Sequence, residues 1–161
     1  MYRGLALFAV AICAAPACFA TGPPSAKVLE TAREVNVATR FGSLDPLLSH
    51  TADEVRDSVL KRRADWGTAI RVLDLELGGV RMKDSENATV LVDFQWMRLD
   101  EDLLHETQVE QTWRGVSEGR GWELVRERRV GGDIGLFGER VARAEPLARP
   151  SDVQFASKTI R

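Results

Sequence analysis

Beyond its opening segment the chain has no cysteine; Cys13 and Cys18 are the only two, and both lie among the first twenty residues. A disulfide, a thiol nucleophile and a cysteine-ligated metal are therefore excluded from the remainder of the chain. Tyrosine is limited to Tyr2, and histidine to His50 and His105. With so few ligand types a metal site needs carboxylates at matching spacing, and none appears. No Gly-x-Ser-x-Gly, phosphate-binding loop or dinucleotide fingerprint is present, so no cofactor is expected. No apolar run reaches the roughly 20 residues of a membrane span. Basic residues are scattered among acidic ones and leave no stripe for nucleic acid.

What is present begins with an export pattern. Arg3 is the only charge before Ala20, Gly4 to Ala17 is apolar or small, and the segment ends Ala17-Cys18-Phe19-Ala20. A short positive start, an apolar stretch and a small-residue cut site form a secretory signal. Residues 1–20 thus read as a signal peptide, and the product as periplasmic or secreted. Cleavage after Ala20 gives a soluble product. Ala15-Pro16-Ala17-Cys18 loosely resembles a bacterial lipobox, which makes Cys18 a lipidation candidate and the one route to a membrane anchor on the envelope. Without Arg3, 21 basic side chains stand against 24 acidic ones.

The length of 161 residues suits one domain. Residues 21–25 read as a linker, 26–140 as a single α+β domain and 141–161 as a C-terminal tail, with Val153-Gln-Phe155 as a short edge strand. Val28, Leu29, Ala32, Val35, Ala38 and Phe41 recur every three or four residues and predict a helix over Ala26 to Phe41, capped by Ser25 and ended by Gly42. Asp45-Pro46 opens a second, shorter helix. Thr51-Ala-Asp-Glu54 reads as a capping box with Thr51 as cap. The helix it opens ends in Lys61-Arg62-Arg63, cations suited to the negative end of a helix dipole.

From Leu73 the period becomes two. Leu73, Leu75 and Leu77 share a face; after Gly78-Gly79, Val80 and Met82 resume one residue out of phase, as a β-bulge requires. Ala88, Val90, Val92, Phe94 and Trp96 form the clearest alternation in the chain. Setting Trp96 opposite His105, Val92 opposite Val109 and Ala88 opposite Trp113 gathers the apolar side chains on one face. In the next hairpin, Arg114 is set opposite Gly121, Trp113 opposite Trp122 and Gln111 opposite Leu124. Ile134 to Phe137 docks back onto the sheet. The expected architecture is α+β, with N-terminal helices over one face of a bent antiparallel meander.

On Asn36-Val-Ala-Thr-Arg40-Phe41-Gly42 with Asp45, Trp66-Gly67, Gln111-Thr-Trp113-Arg114, Gly121-Trp122-Glu-Leu124 and Leu136-Phe-Gly138, the chain resembles a group of small bacterial exported proteins. On element order, over roughly Ala26 to Gly138, it resembles the nuclear-transport-factor-2-like superfamily, also called SnoaL-like or cystatin-like cone folds. The resemblance implies a strongly bent, cone-shaped sheet whose concave side, closed by helices, forms a pocket. It does not choose a function, because that superfamily holds isomerases, dehydratases, epoxide hydrolases, polyketide cyclases and non-catalytic dimeric binding modules.

In this register Trp96, His105, Thr107, Gln111, Arg126 and Arg128 share the pocket face. His105 is the one side chain there suited to general-base work near neutral pH. No carboxylate shares its face to orient it, so a partly buried imidazole beside Trp96 is the plainer expectation. Arg126 and Arg128 suit an anionic ligand, although arginines near a strand end also reach solvent over apolar neighbours. The leading expectation is a non-catalytic exported domain. It binds an envelope protein, a small ligand or, as a homodimer through the outer sheet face, itself. The alternative is a small pocket enzyme of isomerase, dehydratase or hydrolase type with His105 as general base. A pocket filled by Phe94, Trp96 and Trp113 favours the first; an enclosed pocket with His105 on a carboxylate favours the second.

Overall fold

The computed structural model describes residues 22–116 and 121–139. The expected signal segment with Cys18, and the expected tail 141–161 with its edge strand Val153-Gln-Phe155, lie outside the described residues. Three helices, α1 (Pro24–Arg40), α2 (Asp45–Ser49) and α3 (Asp53–Arg62), precede four strands, β1 (Ile70–Met82), β2 (Asn87–Arg98), β3 (His105–Val116) and β4 (Gly121–Gly132). The strands form one antiparallel sheet in the order β1-β2-β3-β4. The α+β class holds. The sheet is open, with β1 and β4 as its two edges, and the cone expected from the resemblance is not confirmed.

Helix α1 buries one stripe, Val28, Ala32, Val35, Asn36 and Thr39. It begins two residues earlier than expected, because Pro24 suits a first helical turn, where the missing N–H is not needed. Pro23 occupies the cap position, so Ser25 is not the cap, and Pro24 and Ser25 belong to the helix rather than to a linker. Phe41, expected on the stripe, lies just past the helix and is 76% exposed.

Helix α3 is likewise not capped by Thr51; Ala52 holds that position, with no side-chain cap bond. The Thr51 hydroxyl instead donates to the Leu47 carbonyl (2.5 Å). The reason is tertiary. Residues 50–52 run beside β4, where the Ala52 N–H donates to the Leu124 carbonyl and the Leu124 N–H to the His50 carbonyl. Satisfying two backbone groups at a strand edge outweighs one cap.

β2 and β3 pair as the alternation requires, with Trp96 opposite His105, Val92 opposite Val109 and Ala88 opposite Trp113. Their inward side chains, Val90, Val92, Phe94, Trp96, Val109 and Trp113, form one core with Val28, Ala32 and Val35 of α1. Each buried tryptophan removes ~150–250 Å² from water, worth roughly 4–6 kcal/mol at about 25 cal/mol per Å². Leu136 and Phe137 close one end of this core: the Trp66 indole donates to the Leu136 carbonyl (2.8 Å), and its ring stacks on Phe137.

The outer ladders are irregular. In β1 the register shifts at Gly78, as expected, and also at Leu73, which was expected inward and is instead 37% exposed. In β4 the expected pairing is two residues out at Trp113, which faces Leu124, and three out at Gln111, which faces Glu127; Val116 faces Gly121. Val125 and Val130 are then extra residues in that ladder. Each extra residue inverts the face of the stretch after it. Glu127 therefore turns inward, while Arg126 and Arg128 turn outward, which corrects their assignment to the pocket face.

Candidate functional site

The helix-facing side of the sheet, where a pocket was expected, is packed. Phe94, Trp96 and Trp113 are buried there, together with Thr107 and Gln111. Thr107 accepts from the Trp96 indole (2.9 Å) and donates to the Asp133 carbonyl (2.8 Å). Gln111 forms a reciprocal amide pair with Asn36 of α1, each side chain donating to the other at 2.9 Å. Both residues lie on the inner face, but their polar atoms are engaged with the protein itself.

Deeper still lies an ion pair that sequence reasoning missed. Arg63 directs Nη2 to Glu127 Oε2 at 2.6 Å and Nε to Oε1 at 3.4 Å, with both side chains at most 1% exposed. Nη2 also lies 3.5 Å from Asn36 Oδ1, which joins the pair to the amide network. The guanidinium sits over the Trp66 ring at 4.6 Å, an arrangement that adds cation–π attraction. Arg62 reaches the same glutamate from the rim, donating to its backbone carbonyl (2.7 Å). A faint signal existed for two of these residues. Arg63 continues the Val55–Val59 spacing of four, and Asn36 continues Val28–Ala32, so each polar side chain is in phase with an apolar stripe. Nothing marked Glu127, because the phase of β4 inverts just before it.

His105 does meet carboxylates, contrary to the expectation that none could orient it. Its Nε2 lies 2.8 Å from Glu101 and its Nδ1 3.2 Å from Asp133, and its ring stacks on Trp96 with centroids 4.4 Å apart. Both acids come from outside the strands, Glu101 from the β2–β3 turn and Asp133 just after β4, so a face-by-face reading of the sheet passes over them. Each ring nitrogen thus has a carboxylate within hydrogen-bond distance. Neither nitrogen is left for a substrate. Asp133 also accepts from the Glu106 N–H (3.1 Å), so the cluster ties a turn to the end of β4.

The other side of the sheet is open. A hollow of about 460 Å³ lies there, bordered by Asp74, Glu76, Asp93 and Glu106. Gln108 donates to Asp93 (2.9 Å) and Gln95 to Glu106 (3.3 Å), so neighbouring strands hold these acids in place. Arg40 neutralises Asp74 at 2.9 Å. Among the described residues no cation pairs with Glu76, Asp93 or Glu106. Gly131 and Gly132 leave one wall bare; at Gly132, where φ is +72°, a Cβ would collide with the Glu106 carbonyl. At the far end of the same face Arg114 bridges Glu54 (2.9 Å) and Glu123 (3.1 Å). The Glu54 carboxyl is held below its ordinary value, first by the backbone N–H at Glu54 and then by Arg114.

Among the described residues no group of three or more histidine, cysteine or carboxylate side chains is arranged to hold a metal, and no helix is long and apolar enough to cross a membrane. No protein-family model and no curated protein matches the chain. Among solved structures it is similar to the solution structure of a SEC-C motif containing protein from Rhodopseudomonas palustris. The TM-score is 0.52 at 17% identity, over 63% of this chain and 77% of that one. At that identity the likeness shows the fold alone. The resemblance read from the sequence is corrected accordingly: the similar structure is that of a SEC-C motif containing protein, and none of the comparisons points to the nuclear-transport-factor-2-like superfamily.

Proposed function

We propose that the protein is a non-catalytic binding domain of the bacterial cell envelope, carried there by its export segment, and that it receives a basic partner on the open face of its sheet. One observation carries this reading: the inner face is filled by Phe94, Trp96 and Trp113, while the outer face offers a hollow with three carboxylates that no cation among the described residues neutralises. A two-fold dimer through this hollow is disfavoured, because symmetry would set Glu76, Asp93 and Glu106 against their own copies. A peptide or protein segment bearing lysine or arginine meets no such penalty. The second reading, a small pocket enzyme with His105 as base, has in its favour the two carboxylates at that ring. Against it stands the engagement of both ring nitrogens.

Calorimetric titration of the exported chain with a short oligolysine tests the proposal. Saturable binding that weakens with salt is expected. Replacing Glu76 and Glu106 by Gln and Asp93 by Asn together should weaken it about tenfold, or ~1.4 kcal/mol. Unchanged affinity in that triple variant overturns the proposal, as does any turnover that depends on His105.

A further inference from the structure

A second recess, independent of the acidic hollow and sharing no residue with it, lies where α3 meets β4. It is open to solvent on one side and has a volume of about 450 Å³, comparable with the roughly 300–1,000 Å³ of small-molecule sites. Its apolar lining is Val55, Val59 and Val125. Its polar lining sets four cations against one carboxylate: Ser58, Lys61 and Arg62 come from α3, and Arg126, Glu127 and Arg128 from β4. The inverted phase of β4 makes this combination, since it turns Arg126 and Arg128 away from the core.

The local charge is not balanced from within. Arg128 is matched by Glu110 at 2.7 Å. Glu127 faces both Arg62 and Arg63, so one of those two guanidinium charges has no counterpart. Lys61 and Arg126 have no carboxylate partner among the described residues. The carbonyl end of α3 repels an anion by the equivalent of about half a charge, and three uncompensated cations outweigh it. The Nε of Arg62 is also buried with no hydrogen-bond partner among the described residues, so one donor stands unused.

We infer that this recess binds a single-chain anionic amphiphile of the fatty-carboxylate class. Its head lies among Lys61, Arg62 and Arg126, and its hydrocarbon chain lies against Val55, Val59 and Val125. The valines set this ligand apart from a bare anion. The gathering of cations around one recess, rather than over a plane, sets it apart from a membrane surface.

Titration of the exported chain with decanoate below its micelle concentration tests the inference, with decanol and decyltrimethylammonium as neutral and cationic controls. One decanoate per chain is expected, with decanol at least ~10-fold weaker and the cation not bound. Two variants are informative. Lys61→Glu with Arg126→Glu reverses charge at the mouth, and Ser58→Trp plugs the recess from an exposed site on α3. Either should weaken decanoate about tenfold or more, with a wild-type circular dichroism spectrum, because all three positions are exposed. The triple variant of the acidic hollow should bind decanoate as the wild type does. Equal binding of decyltrimethylammonium, unchanged affinity in both variants, or absence of binding at millimolar decanoate overturns the inference. Sedimentation with anionic vesicles by a chain that ignores decanoate does so too.

Discussion

Two ion-pair systems, one inside the molecule and one on its surface, use the same chemistry to different ends. Arg63 and Glu127 are at most 1% exposed, whereas Arg114 shares Glu54 and Glu123 at 46%, 56% and 22% side-chain exposure. Water screens the outer set, so it contributes little to the free energy of folding. The inner pair is scarcely screened, and each partner alone would be a buried charge. The pair is therefore weak evidence for stability in itself, yet each member makes the other indispensable. It also couples α3 to the inverted stretch of β4, because Glu127 points inward only when Val125 is the extra residue of that ladder.

The largest break in this comparison is Glu127→Gln, which leaves the Arg63 charge buried without its counter-ion. Urea unfolding should show a loss of about 3–5 kcal/mol. Converting both residues together, Arg63→Met with Glu127→Leu, should cost less than the single change, since a hydrophobic replacement of a whole buried pair is often near neutral. Additive losses would refute the coupling. A middle case is His105→Ala, which removes two hydrogen bonds to carboxylates at a site of 20% side-chain exposure. A loss of about 1–2 kcal/mol is expected, from the bonds and the Trp96 stacking contact together.

The smallest effect belongs to the surface set, where Arg114→Ala should leave the melting temperature within about 2 °C of wild type. pH sharpens this end of the scale. The Glu54 carboxyl in the folded chain lies below its ordinary value of 4.5. Its contribution is complete above that value and is lost as pH falls through the lower folded value. Melting curves of Glu54→Gln should therefore lie slightly below wild type near neutrality and converge with it in acid. Asp84 has the same sign, because the Glu86 N–H and then the Asn87 side chain hold its carboxyl below 3.8. A Glu54 variant whose deficit grows in acid would contradict the assignment.

The parts of the fold that were legible are those where apolar side chains report strand phase. Ala88 to Trp96 and Val109 to Trp113 carry an inward apolar side chain at nearly every second position, and their mutual register comes from that pattern. Gly78-Gly79 was legible as a bulge because hydrophobes stand on both sides of it to reveal the slip. The bulge at Val125 had no such witness. After Leu124 the strand runs Val-Arg-Glu-Arg-Arg, and charged side chains do not announce which face they occupy. Extending the alternation from Trp122 placed Arg126 and Arg128 inside and passed over Glu127. The His105 cluster was hidden for another reason, since its acids lie on turns, and periodicity says nothing about where a turn folds back.

The extra residues of the sheet all sit at its margins. Leu73 and Gly78 lie on β1 and Val125 and Val130 on β4, so both borders are kinked while the two central strands are regular. Each kink removes backbone groups from the even row that a neighbouring molecule would need to add its own strand. The protein is thereby guarded against growing into fibrils through its rims. Excising Leu73 and Gly78 together would straighten one rim and open it to stacking of copy upon copy.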